Sequence, residues 1–196
     1  MGEKKKSYRD RYFEDWQAVK VPAQNRKGYR IEYRYTGLWK QWEDPAGRPL
    51  KNSKWLLAFL EIFSIAVYAA AVLSRTPLSV SRLANGFGTL SLVPWIAELS
   101  GVLRFLASGA YVRELSANEI STSIRSGSVL RAILAALSAI AGGIQILAAH
   151  TAVPADLLTF LGIILSTGLS LTVKSRYDCL QQNTFRNDNG NPGERY

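Results

Sequence analysis

The sequence predicts an all-α integral membrane protein: a four-transmembrane-helix bundle behind a small cytoplasmic N-terminal region that contains an amphipathic helix and a short strand. Three observations predict it. Trp55 to Leu73, WLLAFLEIFSIAVYAAAVL, is an apolar run interrupted by one acid, Glu61. At about 1.5 Å per residue, a helix of that length matches a hydrocarbon core of roughly 30 Å. Three more apolar runs follow, over about 83–106, 129–149 and 155–173. The basic residues cluster ahead of the first run, with 14 of the 24 Lys and Arg in residues 1–54.

The near-zero mean hydropathy is thus an average over two unlike parts, and the net charge of +9 belongs to the flanks. Basic flanks suit an anionic cytoplasmic leaflet and set orientation, whereas nucleic-acid binding lacks any recognition motif. One cysteine, Cys179, and one histidine, His150, exclude an internal disulfide and a Cys/His zinc site. No metal or cofactor is expected. The basic start MGEKKK has no apolar h-region behind it, so a cleaved signal peptide is not expected, and Lys6 stands where a myristoylation signal needs a hydroxyl.

Three regions follow in order: the basic, aromatic segment 1–54, the bundle 55–173, and a cytoplasmic tail 174–196, disordered from about 187. From Lys5 to Val19 the side chains of Tyr8, Tyr12, Phe13, Trp16 and Val19 recur at helical spacing, and Pro22 ends the run. Such a helix lies in the headgroup region or packs on a partner. Over 28–35 the period changes to two: Tyr29, Ile31, Tyr33 and Tyr35 alternate with Arg30, Glu32 and Arg34, the pattern of a strand with one apolar face. A lone strand is not stable. With Trp39 and Trp42 it makes this segment the expected docking surface for a protein partner. Lys51, Lys54 and Trp55 then anchor the first span at the membrane edge.

The second span is the most interrupted, by Asn85, Gly86, Gly88, Pro94, Glu98 and Arg104, and a re-entrant hairpin is the alternative there. Ser116-Ala-Asn-Glu119 reads as a capping box opening a helix of about 50 Å that continues into the third span. The fourth span returns, and Lys174, Arg176 and Tyr177 mark its inner end. Placing the N-terminus inside puts 22 basic residues on the cytoplasmic side and leaves only Arg75 and Arg82 in outer loops. Four spans, a plasma-membrane location and both termini cytoplasmic follow from that asymmetry.

In this frame Glu61 and Glu98 fall at one depth, with Arg104 and Arg131 just below, and Glu61, Ser64 and Tyr68 share a helix face. Two readings stay open. Two carboxylates in low dielectric suit a proton- or cation-coupled site, while two acids against two bases suit a structural ion-pair layer. Ala135, Ala139 and Gly143 on span three, and Gly162, Ser166 and Ser170 on span four, form small-residue ridges for close packing of these two helices or of a homodimer. Ser138 and Gln145 are candidates for hydrogen bonds there, and Asp156 caps helix four. No nucleophile elbow, phosphate loop or His/Asp pair points to an enzyme.

Four spans with a glutamate in the first resemble small multidrug-resistance carriers, whose essential acid maps onto Glu61; this chain is much longer and lacks their recognisable aromatic partners. The Tyr35-Thr36-Gly37 turn ahead of the first span resembles uncharacterised small four-span membrane proteins of Gram-positive bacteria, which implies a bacterial source and brings no activity with it. The expectation is an accessory or scaffold protein docking its partner through the N-terminal region. The alternative is a small transporter or channel using Glu61 and Glu98.

Overall fold

The computed structural model describes residues 13–24, 26–73, 82–149 and 154–186. Tyr12, His150, the first turns of the expected amphipathic helix and the tail from 187 lie outside them. Elements run in the order β1 (Trp16–Pro22), β2 (Tyr29–Tyr35), β3 (Leu38–Glu43), α1 (Leu50–Leu73), α2 (Arg82–Leu90), α3 (Leu92–Ala107), β4 (Tyr111–Arg113), α4 (Glu114–Ala149), α5 (Pro154–Asp178) and β5 (Gln181–Arg186). The all-α expectation is overturned, because five strands in two sheets accompany the helices and make this a mixed α/β chain. The described chain divides into two compact units. One holds the residues up to Trp42, Gly109–Asn118 and the residues from Gln182; the other holds Glu43–Ser108 and Glu119–Gln181.

In the first unit β1 and β2 form an antiparallel hairpin in which Trp16 faces Tyr35, Ala18 faces Tyr33 and Lys20 faces Ile31. Residues 16–19, expected to be helical, are extended: Val19 and Val21 favour the pleated chain, and β2 supplies the partner that a lone strand needs. Gly28, at φ +70°, closes the loop in the left-handed region. The second sheet has the order β4-β3-β5, with Trp39 opposite Arg113 and Gln41 opposite Tyr111. Its strands come from three distant parts of the chain. The core is aromatic. Tyr35 stands edge-on between Trp16 and Trp39, at centroid distances of 5.8 and 5.3 Å, and the Arg113 guanidinium lies 4.4 Å from the Trp16 ring centre and 5.4 Å from that of Tyr35. Gly37 is required by the close approach behind it, since a Cβ there would sit 2.5 Å from the Tyr35 hydroxyl and 2.6 Å from the Asp15 carboxylate.

In the second unit four helical segments are long and apolar enough to cross a membrane: Leu50–Leu73, Ala84–Ala107, Glu114–Ala148 and Asp156–Asp178. The second comprises α2 and α3, which break at Ser91. Pro94 explains the break, since it has no N–H to donate to the Leu90 carbonyl; Ser91 turns its hydroxyl onto the Gly88 carbonyl at 2.6 Å. Helix α4 begins at Glu114, directly after β4 and two residues before the expected cap, and its 36 residues extend about 54 Å. Gly162 of α5 lies so close to α1 that an added Cβ would sit 2.6 Å from the Ala71 Cβ. The buried Lys54 donates to the Ser108 carbonyl at the C-terminal end of α3, where a cation opposes the helix dipole. Phe59, Ile62, Ile96, Ile140, Ile144, Leu147 and Leu158 are instead more than half exposed. The helical unit is therefore apolar on the outside and polar at its centre.

Candidate functional site

That polar centre is built from α1, α3, α4 and α5. Glu61 and Glu98 are fully buried, and Arg131 is 3% exposed. Its Nη1 lies 3.5 Å from Glu61 Oε1 and 3.4 Å from Glu98 Oε2, so one guanidinium serves both acids. Nη2 donates to Ser64 Oγ at 2.9 Å and Ser166 Oγ at 2.8 Å. Those two hydroxyls donate in turn to each other's backbone carbonyls, both at 2.9 Å, which ties α1 to α5.

The two carboxylates are not equivalent. Glu98 accepts from Ser128 Oγ at 2.6 Å and from Ser170 Oγ at 2.8 Å, besides its contact with Arg131. Neither oxygen of Glu61 accepts a hydrogen bond among the described residues, although the Trp95 indole faces it. Arg131 thus pairs with both acids at nearly equal distance, and the difference between them lies in the hydroxyls: Glu98 accepts from two, and Glu61 from none among the described residues. Gly127 brings α4 against α3 at this level: a Cβ on it would come within 2.8 Å of the Glu98 backbone nitrogen.

On the Leu50 side of the layer the packing is apolar and closed by Leu57, Val102, Phe105, Ile124 and Val173, none more than 1% exposed. On the Leu73 side it is mixed: Tyr68, Asn85, Ser138 and Thr159, together with Val72, Phe160 and Ile163, line a cavity of about 20 Å³, room for one water molecule.

The sequence expectation placed Glu61, Glu98, Ser64, Tyr68 and Arg131 in or beside this layer, and the structure brings them together. It does not bring Arg104, which pairs with Glu119 at 3.6 Å with its side chain 60% exposed. Six residues along a helix turn about 240°, so Arg104 cannot share the face of Glu98. Ser166 and Ser170, expected only as packing residues, are ligands of Arg131 and Glu98. Ser128 was missed. Its signal was available, since it lies three residues before Arg131 on one helix face. Of the ridge residues, Ala135 is buried in a cluster with Tyr68 and Ile163, Gly162 faces α1, and Ala139 and Gly143 are half-buried on α4. Gln145 is half-buried as well, and Ser138 donates to the Ala84 carbonyl at 2.7 Å.

The aromatic residues expected at a partner surface separate into two groups. Tyr35, Trp39 and Trp42 are buried in the first unit's core and Trp16 is half-buried against Arg113. Tyr29 and Tyr33 are exposed with Ile31 along one face of β2. Burial, and then the nearby Asp15 and Glu114 carboxylates, push the Tyr35 phenol above its ordinary value of 10.0.

Among the described residues, fold and site together give four helical segments long and apolar enough to cross a membrane and a buried acid–base layer enclosed by them. Compared with known proteins, it matches no family model, no curated protein and no solved structure.

Proposed function

We propose that this chain is a multi-pass membrane protein that binds and exchanges a proton, or a monovalent cation in its place, at Glu61, and acts as a small proton- or cation-coupled carrier. One observation carries the reading: two fully buried carboxylates share one guanidinium, and the two hydroxyls that donate to a carboxylate there, those of Ser128 and Ser170, both go to Glu98. A structural ion pair accounts for Glu98 and Arg131. It does not account for Glu61, whose negative charge needs one more positive charge in a low-dielectric interior.

The membrane setting rests on the exposed apolar side chains of the helices and on strand pairing. Strands β3, β4 and β5 share a sheet and therefore share one side of any membrane, so the chain between successive strands crosses an even number of times. Two candidate spans lie in each interval, which favours full crossing by Ala84–Ala107 over a re-entrant hairpin. The distribution of Lys and Arg makes that side cytoplasmic.

The test is proton flux into proteoliposomes of the full chain under an imposed pH gradient, read by a lumenal pH dye. Glu61→Gln keeps the shape of the side chain and the Arg131–Glu98 pair, and it should abolish flux while leaving thermal stability within a few degrees. Flux in the variant equal to wild type, or a loss of stability with no flux in either protein, would establish a purely structural layer.

A second reading, an accessory or scaffold protein, is favoured by the hairpin, where Tyr29, Ile31 and Tyr33 are 37, 55 and 69% exposed on one face. Substituting Ile31 and Tyr33 by Lys should release a co-purifying protein in mild detergent. If the same proteins come down with the variant, the hairpin is not the docking surface.

A further inference from the structure

A second cavity, of about 240 Å³, lies in the helical unit at the end that holds the start of α1 and the end of α5, and shares no lining residue with the carboxylates, arginine and serines of the acid–base layer. Two arginines, Arg48 and Arg176, line it together with the exposed thiol of Cys179, and Leu56, 38% exposed, lies at its apolar edge. The one acid in its wall, Asp44, is already used. Its oxygens accept from Ser53 Oγ at 2.5 Å, from the Ala46 N–H at 2.9 Å and from Arg48 Nε at 3.2 Å. Asp44 therefore balances Arg48. Arg176 has no hydrogen-bond or ion-pair partner among the described residues and gives the pocket one excess positive charge.

We propose that this pocket seats the phosphate of an anionic phospholipid, of the phosphatidylglycerol class, between Arg176 and Nη1 of Arg48, whose Nε and Nη2 face Asp44. Three features select that occupant. A phosphodiester supplies the single negative charge that the pocket lacks. Guanidinium groups fit phosphate oxygens in pairs. The leucine edge continues the exposed apolar surface of α1, where Trp55 and Phe59 are 57 and 64% exposed, so an acyl glycerol has an apolar exit. Under the membrane reading the pocket also lies at the cytoplasmic leaflet, where such lipids concentrate. The proposal requires that setting and is independent of proton exchange at Glu61.

Cys179 is the only cysteine in the chain, so its alkylation reports occupancy without engineering. The full chain is placed in nanodiscs of phosphatidylcholine, with and without phosphatidylglycerol, and the rate of reaction with an uncharged maleimide is measured. Wild type should react about fivefold more slowly with phosphatidylglycerol present, the effect of about one basic contact. Arg176→Gln should lose most of that protection, Arg176→Lys should keep part of it, and Lys51→Gln, outside the pocket, should keep all of it. Native mass spectra should show a phosphatidylglycerol adduct that Arg176→Gln lacks. Equal slowing in all four proteins would assign the effect to the surface potential of the bilayer and overturn the proposal. So would protection by inorganic phosphate in phosphatidylcholine discs that matches protection by the lipid, which would make the pocket a site for a free anion.

Discussion

Two glycine-to-alanine substitutions on the helices should act in opposite directions. Gly168 on α5 has nothing within 4 Å of an added Cβ, and it is exposed. Alanine there loses less backbone entropy on folding and should stabilise by about 0.5–1 kcal/mol. At Gly127 the same methyl would meet the backbone nitrogen, Cβ and Cα of Glu98 at 2.8, 2.9 and 3.0 Å. Backbone cannot rotate away, so α3 and α4 must part by about half an ångström to restore ordinary van der Waals contact. Overpacking of this kind destabilises by about 1–3 kcal/mol, against the same small entropic gain. The strain falls on the segment that presents Glu98 to Ser128, so the 2.6 Å hydrogen bond between them lengthens as well. Thermal unfolding in one detergent, followed by tryptophan fluorescence, should place Gly127→Ala about 5 °C below Gly168→Ala, taking a few degrees per kcal/mol for a chain of this size. If Gly127→Ala is as stable as Gly168→Ala, the close approach of α3 and α4 is wrong, and with it the enclosure of the acid–base layer.

Arg131→Met should destabilise by about 3–5 kcal/mol, because it leaves two buried carboxylates without a cation, and adding Glu61→Gln should recover part of that loss. Chemical denaturation of the single and double variants checks both statements. Asp44, held below its ordinary value of 3.8 first by the Ser53 hydroxyl and then by the Ala46 N–H, contributes stability above that value and loses it as pH falls through the lowered one. Its carboxyl chemical shift in an acid titration should therefore move later than that of a free aspartate, and Ser53→Ala should bring it back. Tyr35 follows the reverse sign: its raised phenol pKa stabilises the folded first unit below about pH 10 and ceases to do so as pH rises through the raised value. Alkaline absorbance titration should show one tyrosine ionising late, and Tyr35→Phe should remove it.

The helices were legible because a run of eighteen or more apolar residues has few other outcomes, and each of the four expected spans overlaps one of the four helical segments found among the described residues. The common depth of Glu61 and Glu98 followed from counting turns. Depth alone does not say which way a side chain faces, which is why Arg104 was misplaced and Arg131, expected just below the layer, lies within it. The serines were hidden by their size, since a small residue at four-residue spacing is a packing signal until a carboxylate is found beside it. The sheets were nearly invisible. Strand β2 alternates cleanly, but β4 has three residues and β3 carries Trp39 and Trp42 at a spacing that suggests a helix. Partners drawn from residues 38, 111 and 181 onward leave no local trace. The period of β2 was legible, and of its four aromatic and aliphatic residues Tyr35 alone is buried, while Tyr29, Ile31 and Tyr33 are exposed.

The sheet that joins β3, β4 and β5 has a consequence for biosynthesis. Its central strand leaves the ribosome before α1, and its last strand follows α5. Until residues 181–186 emerge, one edge of β3 stays open, with backbone donors and acceptors exposed to any passing strand. Sheet closure is thus a late, long-range event that reports completed folding of everything between, and a chain stalled after its third helix presents an unsatisfied edge that quality-control proteases and chaperones can read.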